Sequence, residues 1–125
     1  MSKTYGMLLV SHVEEISDGL VKLLKQVASD VTIKTAGGAE DGEIGTSFDK
    51  INQTVADFEE ETILAFYDLG SAKMNLEMVE DLTDKEIILY DAAFIEGAYV
   101  TASLLQTDAS LNEIEEQLED LIVKD

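Results

Sequence analysis

A chain of 125 residues, 46% of them hydrophobic, predicts a single globular domain over residues 1–125, and the absence of cysteine excludes disulfides, thiol catalysis and thiolate metal sites. The formal net charge is −19 and lysine supplies every basic side chain, so we expect neither nucleic acid nor a membrane as a partner. No apolar run reaches transmembrane length and the first residues lack a signal-peptide pattern, which predicts a cytoplasmic protein.

The first half of the chain has the pattern of two β–α units. Residues 5–10 are apolar and predict a strand, and apolar residues at helical spacing over 16–27 predict the helix that follows it. Residues 31–34 predict a second, shorter strand, and a second helical pattern extends over 48–58. Between these two elements, residues 36–47 predict a long loop rich in glycine.

The second half of the chain repeats this alternation. Residues 62–67 predict a third strand, whose uninterrupted apolar character is typical of parallel strands buried on both faces. A third helical pattern over 74–82 is followed by a fourth strand at 86–90 and a fourth helix at 94–106. A capping-box sequence then opens a last helical pattern over 110–122.

Two of the predicted helices carry an expectation about burial. Met74 and Met78 recur at helical spacing, which predicts that they face the core. The helix at 94–106 is apolar nearly all round except at Glu96, which predicts burial on more than one side. Either a subunit interface or the last helix of the same chain would supply the second side.

The order of these elements predicts the fold. Strands that alternate with helices imply right-handed crossovers and a mostly parallel sheet. We therefore predict a doubly wound α/β fold, in which a four-stranded sheet of order 2-1-3-4 carries helices on both faces. In such a sheet the loops after strands one and three open at the same edge, where ligands bind.

His12, the only histidine, follows the first predicted strand, and Asp68 follows the third. These two side chains would face one crevice, where the carboxylate would fix the imidazole tautomer and leave the other nitrogen as a base, a metal ligand or a nucleophile. Zinc is not expected with one histidine and no cysteine. Magnesium on Asp41, Asp68 or Asp91 is less favoured, because the first strand does not end in the paired acids of a receiver-type site. We predict no metal site.

The loop after the second predicted strand has features of an anion-binding turn. Gly37 and Gly38 allow close approach of the backbone, and Thr46 and Ser47 lie at the start of the second helical pattern. Backbone N–H groups at a helix start bind a phosphoryl group without arginine, so these four residues are the predicted phosphoryl-binding set. The same residues also fit an ordinary turn in which a Ser or Thr caps the helix. The loop matches neither the Walker A nor the dinucleotide-binding pattern.

Four segments together carry a resemblance to a known family, and they are 9–12, 37–47, 67–75 and 91–98. They resemble the DhaM family, the phosphotransferase subunits of PEP-dependent dihydroxyacetone kinases. The domain of that family is similar to the mannose-type enzyme IIA of the sugar phosphotransferase system. The resemblance covers nearly the whole chain.

The resemblance implies a phosphoryl relay. His12 would accept a phosphoryl group from phosphohistidine on HPr and pass it to ADP bound on the DhaL subunit, so that this chain itself binds no cofactor. Asp68 matches the aspartate that supports the active histidine in mannose-type domains. The family also implies a homodimer. The alternatives are a mannose-type enzyme IIA domain of a sugar uptake system and a non-catalytic regulatory binding module on the same fold.

Overall fold

Four parallel strands form one sheet in the computed structural model, which describes residues 4–124. The strands lie in the order β2-β1-β3-β4, so the predicted α/β class and strand order are confirmed. Their bounds are β1 (Tyr5–Ser11), β2 (Ile33–Gly37), β3 (Thr62–Tyr67) and β4 (Glu86–Tyr90).

Within residues 4–124, five α-helices cover the two faces of this sheet. They are α1 (Glu14–Lys25), α2 (Phe48–Ala56), α3 (Gly70–Leu82), α4 (Phe94–Gln106) and α5 (Leu111–Leu118). Because side chains alternate along a strand, Met7 and Leu9 of β1 lie in one core cluster, and Leu8 and Val10 lie in the other. Helices α1, α4 and α5 pack on the first cluster, and α2 and α3 pack on the second. The sheet is therefore buried on both faces.

Strand β2 lies later in the chain than the sequence pattern predicted. It begins at Ile33 and continues to Gly37, instead of spanning 31–34, because backbone pairing with β1 extends to the Ser11↔Gly37 register. The last residues of β2 are small, so apolarity alone did not mark them as a strand. The loop before α2 is correspondingly shorter, and Gly37 belongs to the sheet.

The prediction that Met74 and Met78 face the core is wrong. Their side chains are 68% and 52% exposed. The buried face of α3 is formed by Ala72, Leu76 and Val79, which have the same helical spacing. A helical pattern with apolar residues on two faces does not by itself fix which face packs on the sheet.

Helix α4 is covered on its second side by α5, while part of its surface remains exposed. On its other side, Gly97 allows α4 to pack closely on the segment after β4, because a Cβ at this position would lie 2.9 Å from the Ala92 Cβ. Ile95 and Tyr99 are 52% and 40% exposed. The predicted capping box at Ser110 is present at the start of α5.

The last helical pattern is shorter than predicted. Helix α5 ends at Leu118 and a 3₁₀ turn follows at Glu119–Leu121. Ile122 then pairs antiparallel with Ala92, in the segment that follows β4. Residues 122–124 therefore lie at the carboxyl end of the sheet.

Candidate active site

His12 and Asp68 are hydrogen-bonded to each other at the carboxyl end of the sheet. Strands β1 and β3 are neighbours with Val10 opposite Tyr67, so the residues that follow them meet. The His12 Nδ1 atom lies 2.8 Å from Asp68 Oδ1, and the two side chains are only 16% and 13% exposed. The structure thus brings together the two residues that the sequence predicted to share one crevice.

The Asp68 carboxylate is surrounded by hydrogen-bond donors. One oxygen, Oδ1, accepts from the His12 ring and from the Leu69 N–H at 2.7 Å. The other, Oδ2, accepts from the Ser11 hydroxyl at 2.8 Å and from the His12 N–H at 3.0 Å. Burial alone would raise the pKa of Asp68, but the hydrogen bonds from His12 and Ser11 outweigh it and lower the pKa below its usual value. Asp68 is therefore an ionised acceptor at neutral pH.

An ionised carboxylate fixes the tautomer of the imidazole. Because Asp68 can only accept, His12 Nδ1 carries a proton, and the lone pair of the neutral ring lies on Nε2. The Ser71 hydroxyl is hydrogen-bonded to that Nε2 atom. Ser71 is the second residue of α3, so the nucleophilic nitrogen faces the amino end of a helix. Sequence reasoning missed Ser71, although its position three residues after Asp68 at a helix start was a usable signal.

The predicted glycines have packing roles in the structure. A Cβ on Gly37 would lie 2.1 Å from Ser17 Oγ and 2.8 Å from Glu14 Cα. Gly38 has a positive φ of 74°, and its N–H donates to the Ser11 carbonyl at 2.9 Å. These two residues join β2 to β1 and to the start of α1. A role for them in phosphoryl binding stays a prediction.

Thr46 and Ser47 have different hydrogen-bond partners. Ser47 caps α2, accepts from the Lys50 N–H at 3.1 Å and donates to Glu40 at 2.5 Å, so its hydroxyl is already engaged. Thr46 Oγ1 accepts from Asn75 Nδ2 at 2.8 Å. Asn75 is one helical turn after Ser71, so Thr46 lies on the side of α3 that faces His12. The preceding loop residue, Gly45, donates its N–H to the His12 carbonyl at 2.8 Å. Thr46 is thus joined to α3 and follows a residue that contacts the His12 backbone, whereas Ser47 is bonded within its own loop and helix.

A second polar cluster lies beside the first, at the end of β4. Asp91 accepts from the Tyr67 hydroxyl at 2.5 Å and pairs with Lys73 Nζ at 2.9 Å. Burial would raise the pKa of Asp91, but these contacts lower it.

Within residues 4–124, no three histidine, cysteine or acidic side chains gather as metal ligands would. None of the helices in that same range has both the length and the apolar character needed to span a bilayer.

Comparison with known proteins identifies the family. The family model EIIA-man, described as the PTS system fructose IIA component, matches residues 6–115. The phosphotransferase subunit DhaM of the PTS-dependent dihydroxyacetone kinase of Lactococcus lactis is 45% identical over 121 residues, which are 97% of this chain and 98% of that protein. The chain belongs to the DhaM family.

A second DhaM protein and a solved structure are also similar to this chain. The phosphoryl donor subunit DhaM of PEP-dependent dihydroxyacetone kinase 1 from Listeria innocua is 45% identical over 124 residues, covering 99% of this chain and all of that protein. A crystal structure of a protein of unknown function, EF1359, superposes with a TM-score of 0.84 at 31% identity over 99% of this chain and 98% of the other. The DhaM resemblance and the predicted fold are thereby confirmed.

Proposed function

We propose that this chain is the phosphoryl donor subunit of a cytoplasmic dihydroxyacetone kinase system and acts as a histidine phosphocarrier. In this proposal His12 accepts a phosphoryl group from phospho-HPr and passes it to ADP bound on a DhaL-type subunit. The observation that carries the proposal is the contact between His12 Nδ1 and Asp68, which leaves the lone pair on Nε2. Membership in the DhaM family supports it independently.

The chemistry requires only one bond to form and one to break at each step. The Nε2 lone pair attacks phosphorus, the P–N bond of the donor breaks, and the donor imidazole leaves with its electron pair. The product is a phosphoimidazole with a proton still on Nδ1, and Asp68 stabilises its positive charge. In the second step the ADP terminal phosphate oxygen attacks, and His12 leaves as the neutral ring. Such transfers depend on positioning and charge stabilisation more than on covalent machinery.

Replacing Ser71 with alanine is expected to lower the phosphorylated fraction at equilibrium with phospho-HPr by about tenfold. The Ser71 hydroxyl contacts His12 Nε2 in the unphosphorylated chain. When phosphorus is bonded to Nε2, this hydroxyl must rotate, and it can then donate a hydrogen bond to a phosphoryl oxygen. A hydrogen bond to a charged group contributes about 1.5–3 kcal/mol. Gel separation of the phosphorylated and free forms measures the fraction. An equal or larger fraction in Ser71→Ala would contradict this role.

The test of the proposed function uses labelled PEP, enzyme I and HPr. We expect the chain to acquire acid-labile phosphate, and the variant His12→Gln to acquire none. The purified phosphoprotein is then offered DhaL carrying ADP, and separately an enzyme IIB of a mannose-type system. ATP formed on DhaL supports the proposal. Transfer to the IIB instead would assign the chain to sugar uptake, and no labelling at all would favour a regulatory binding module.

The homodimer expected from the family resemblance remains a proposal as well. The exposed side chains of Ile95 and Tyr99 on α4 support it, because they leave an apolar strip uncovered by α5.

A further inference from the structure

Lys124 reaches the active-site end of the sheet from the segment that follows α5. Its Nζ atom donates to the Tyr67 carbonyl at 2.7 Å and to the Ala92 carbonyl at 2.6 Å. The ammonium group also lies 4.7 Å from the centre of the Tyr67 ring. Tyr67 directly precedes Asp68, so this contact acts on the backbone that presents the carboxylate to His12.

The backbone of residues 123 and 124 is held at the carboxyl end of the sheet by hydrogen bonds to the residue that follows β4. The N–H groups of Val123 and Lys124 donate to the Asp91 carbonyl at 3.1 and 3.0 Å. The Asp91 side chain in turn accepts from the Tyr67 hydroxyl. Tyr67 is therefore contacted at its carbonyl, its ring and its hydroxyl by two neighbouring elements. Residues 122–124 therefore add to the β1 pairing that holds Tyr67, the residue before Asp68, in place.

We infer that Lys124 is a positioning residue for phosphoryl transfer, which holds the backbone before Asp68 and supplies positive charge next to Tyr67, the residue that precedes Asp68. This inference rests on the proposed phosphocarrier function. The chain has no arginine and a formal net charge of −19, and a phosphoryl group adds nearly two further negative charges. A cation fixed next to the site offsets part of that charge.

The electrostatics of Lys124 are consistent with this role. Burial lowers the pKa of the Lys124 ammonium below its usual value, although the negative charges of Asp68 and Asp91 act in the opposite direction. Both carboxylates are thus near enough to Lys124 for their charges to favour its ammonium form.

Replacing Lys124 with methionine is expected to lower the phosphorylated fraction at equilibrium with phospho-HPr by about tenfold, the order expected for a partly buried unit charge near an anion. Lys124→Arg keeps the charge and should recover most of the fraction. In the unphosphorylated protein, the imidazole ¹⁵N signals should show a smaller population protonated on Nδ1 in Lys124→Met. These signals are unambiguous because His12 is the only histidine.

Lys85 provides a matched control at the opposite end of the sheet. Its Nζ atom also donates to two backbone carbonyls, those of Phe58 at 2.6 Å and Glu60 at 3.0 Å. Lys85→Met should therefore lower the free energy of unfolding in urea about as much as Lys124→Met does. It should leave the phosphorylated fraction and the imidazole signals unchanged. If Lys124→Met behaves as wild type in both measurements, or if Lys85→Met changes them equally, the inference is overturned. Absence of phosphorylation in the wild type would instead refute the proposed function, and the imidazole signals would still test the positioning.

Discussion

Replacing Asp68 with asparagine is expected to slow phosphoryl transfer onto His12 by about 100-fold or more. The reason is that both carboxylate oxygens face pairs of donors, from the His12 ring and Leu69 on one side and from Ser11 and the His12 N–H on the other. An amide must turn its NH₂ group toward one of these pairs, so donors would face donors. Where the NH₂ group faces the ring, the proton moves to Nε2 and the nucleophile is lost.

Rapid-quench kinetics with phospho-HPr measures this effect, and Asp18→Asn is the control. Asp18 is exposed, lies on α1 and accepts from Thr35, so the control makes the same change of net charge away from the site. Equal rates for Asp68→Asn and Asp18→Asn would show that the carboxylate does not support the histidine.

The same carboxylate links folding to pH. Its pKa in the folded protein is lowered, because the hydrogen bonds from His12 and Ser11 outweigh burial. A group with a lowered folded-state pKa stabilises the fold above its unfolded value, which is about 3.9 for aspartate, and this contribution is lost as the pH falls further. The difference in unfolding free energy between wild type and Asp68→Asn should therefore persist down to about pH 4 and shrink below it. Urea titrations at several pH values measure this difference.

The fold could be predicted because local and long-range signals agree. The apolar run of β3 marks a strand buried on both faces, and helical patterns separate it from β1 and β4. Right-handed crossovers then leave few possible strand orders. The order also brings the ends of β1 and β3 together, so the contact between His12 and Asp68 was predictable from topology alone.

Details that depend on backbone pairing or on helix rotation were not predictable. The last residues of β2 pair with Val10 and Ser11 through the backbone, which leaves no apolar signal in the sequence. On α3, the methionine face and the face of Leu76 have the same spacing, and only packing on the sheet selects between them. The position of Ser71 near a helix start, three residues after Asp68, was a usable signal, but its contact with His12 depends on that same rotation.

Lys124 is the clearest case of a residue that sequence reasoning could not find. Its contact with Tyr67 spans 57 positions of the chain. It requires the antiparallel bridge between Ala92 and Ile122, and the sequence instead suggested that the last helix continues through Ile122. No local motif marks such a contact.

Replacing Gly37 with alanine is expected to reduce the free energy of unfolding by about 1–3 kcal/mol or more. The new Cβ would lie 2.8 Å from Glu14 Cα, and backbone atoms cannot move aside as a flexible side chain can. Gly37 is paired with Ser11, so a shift of β2 would be transmitted to the residue before His12. Urea unfolding measures the loss, and labelling from phospho-HPr measures its consequence at the site.

Gly19→Ala is the matched control, because nothing lies within 4 Å of a Cβ added at Gly19 in the interior of α1. This variant should be more stable than wild type, by up to about 1 kcal/mol, since alanine favours the helix over glycine. The pair of variants also separates two roles for the glycine loop. If Gly37→Ala is as stable as wild type in urea but acquires less label from phospho-HPr, the loop binds the phosphoryl group. If stability and labelling fall together, close packing of β2 against α1 is the reason that Gly37 is a glycine.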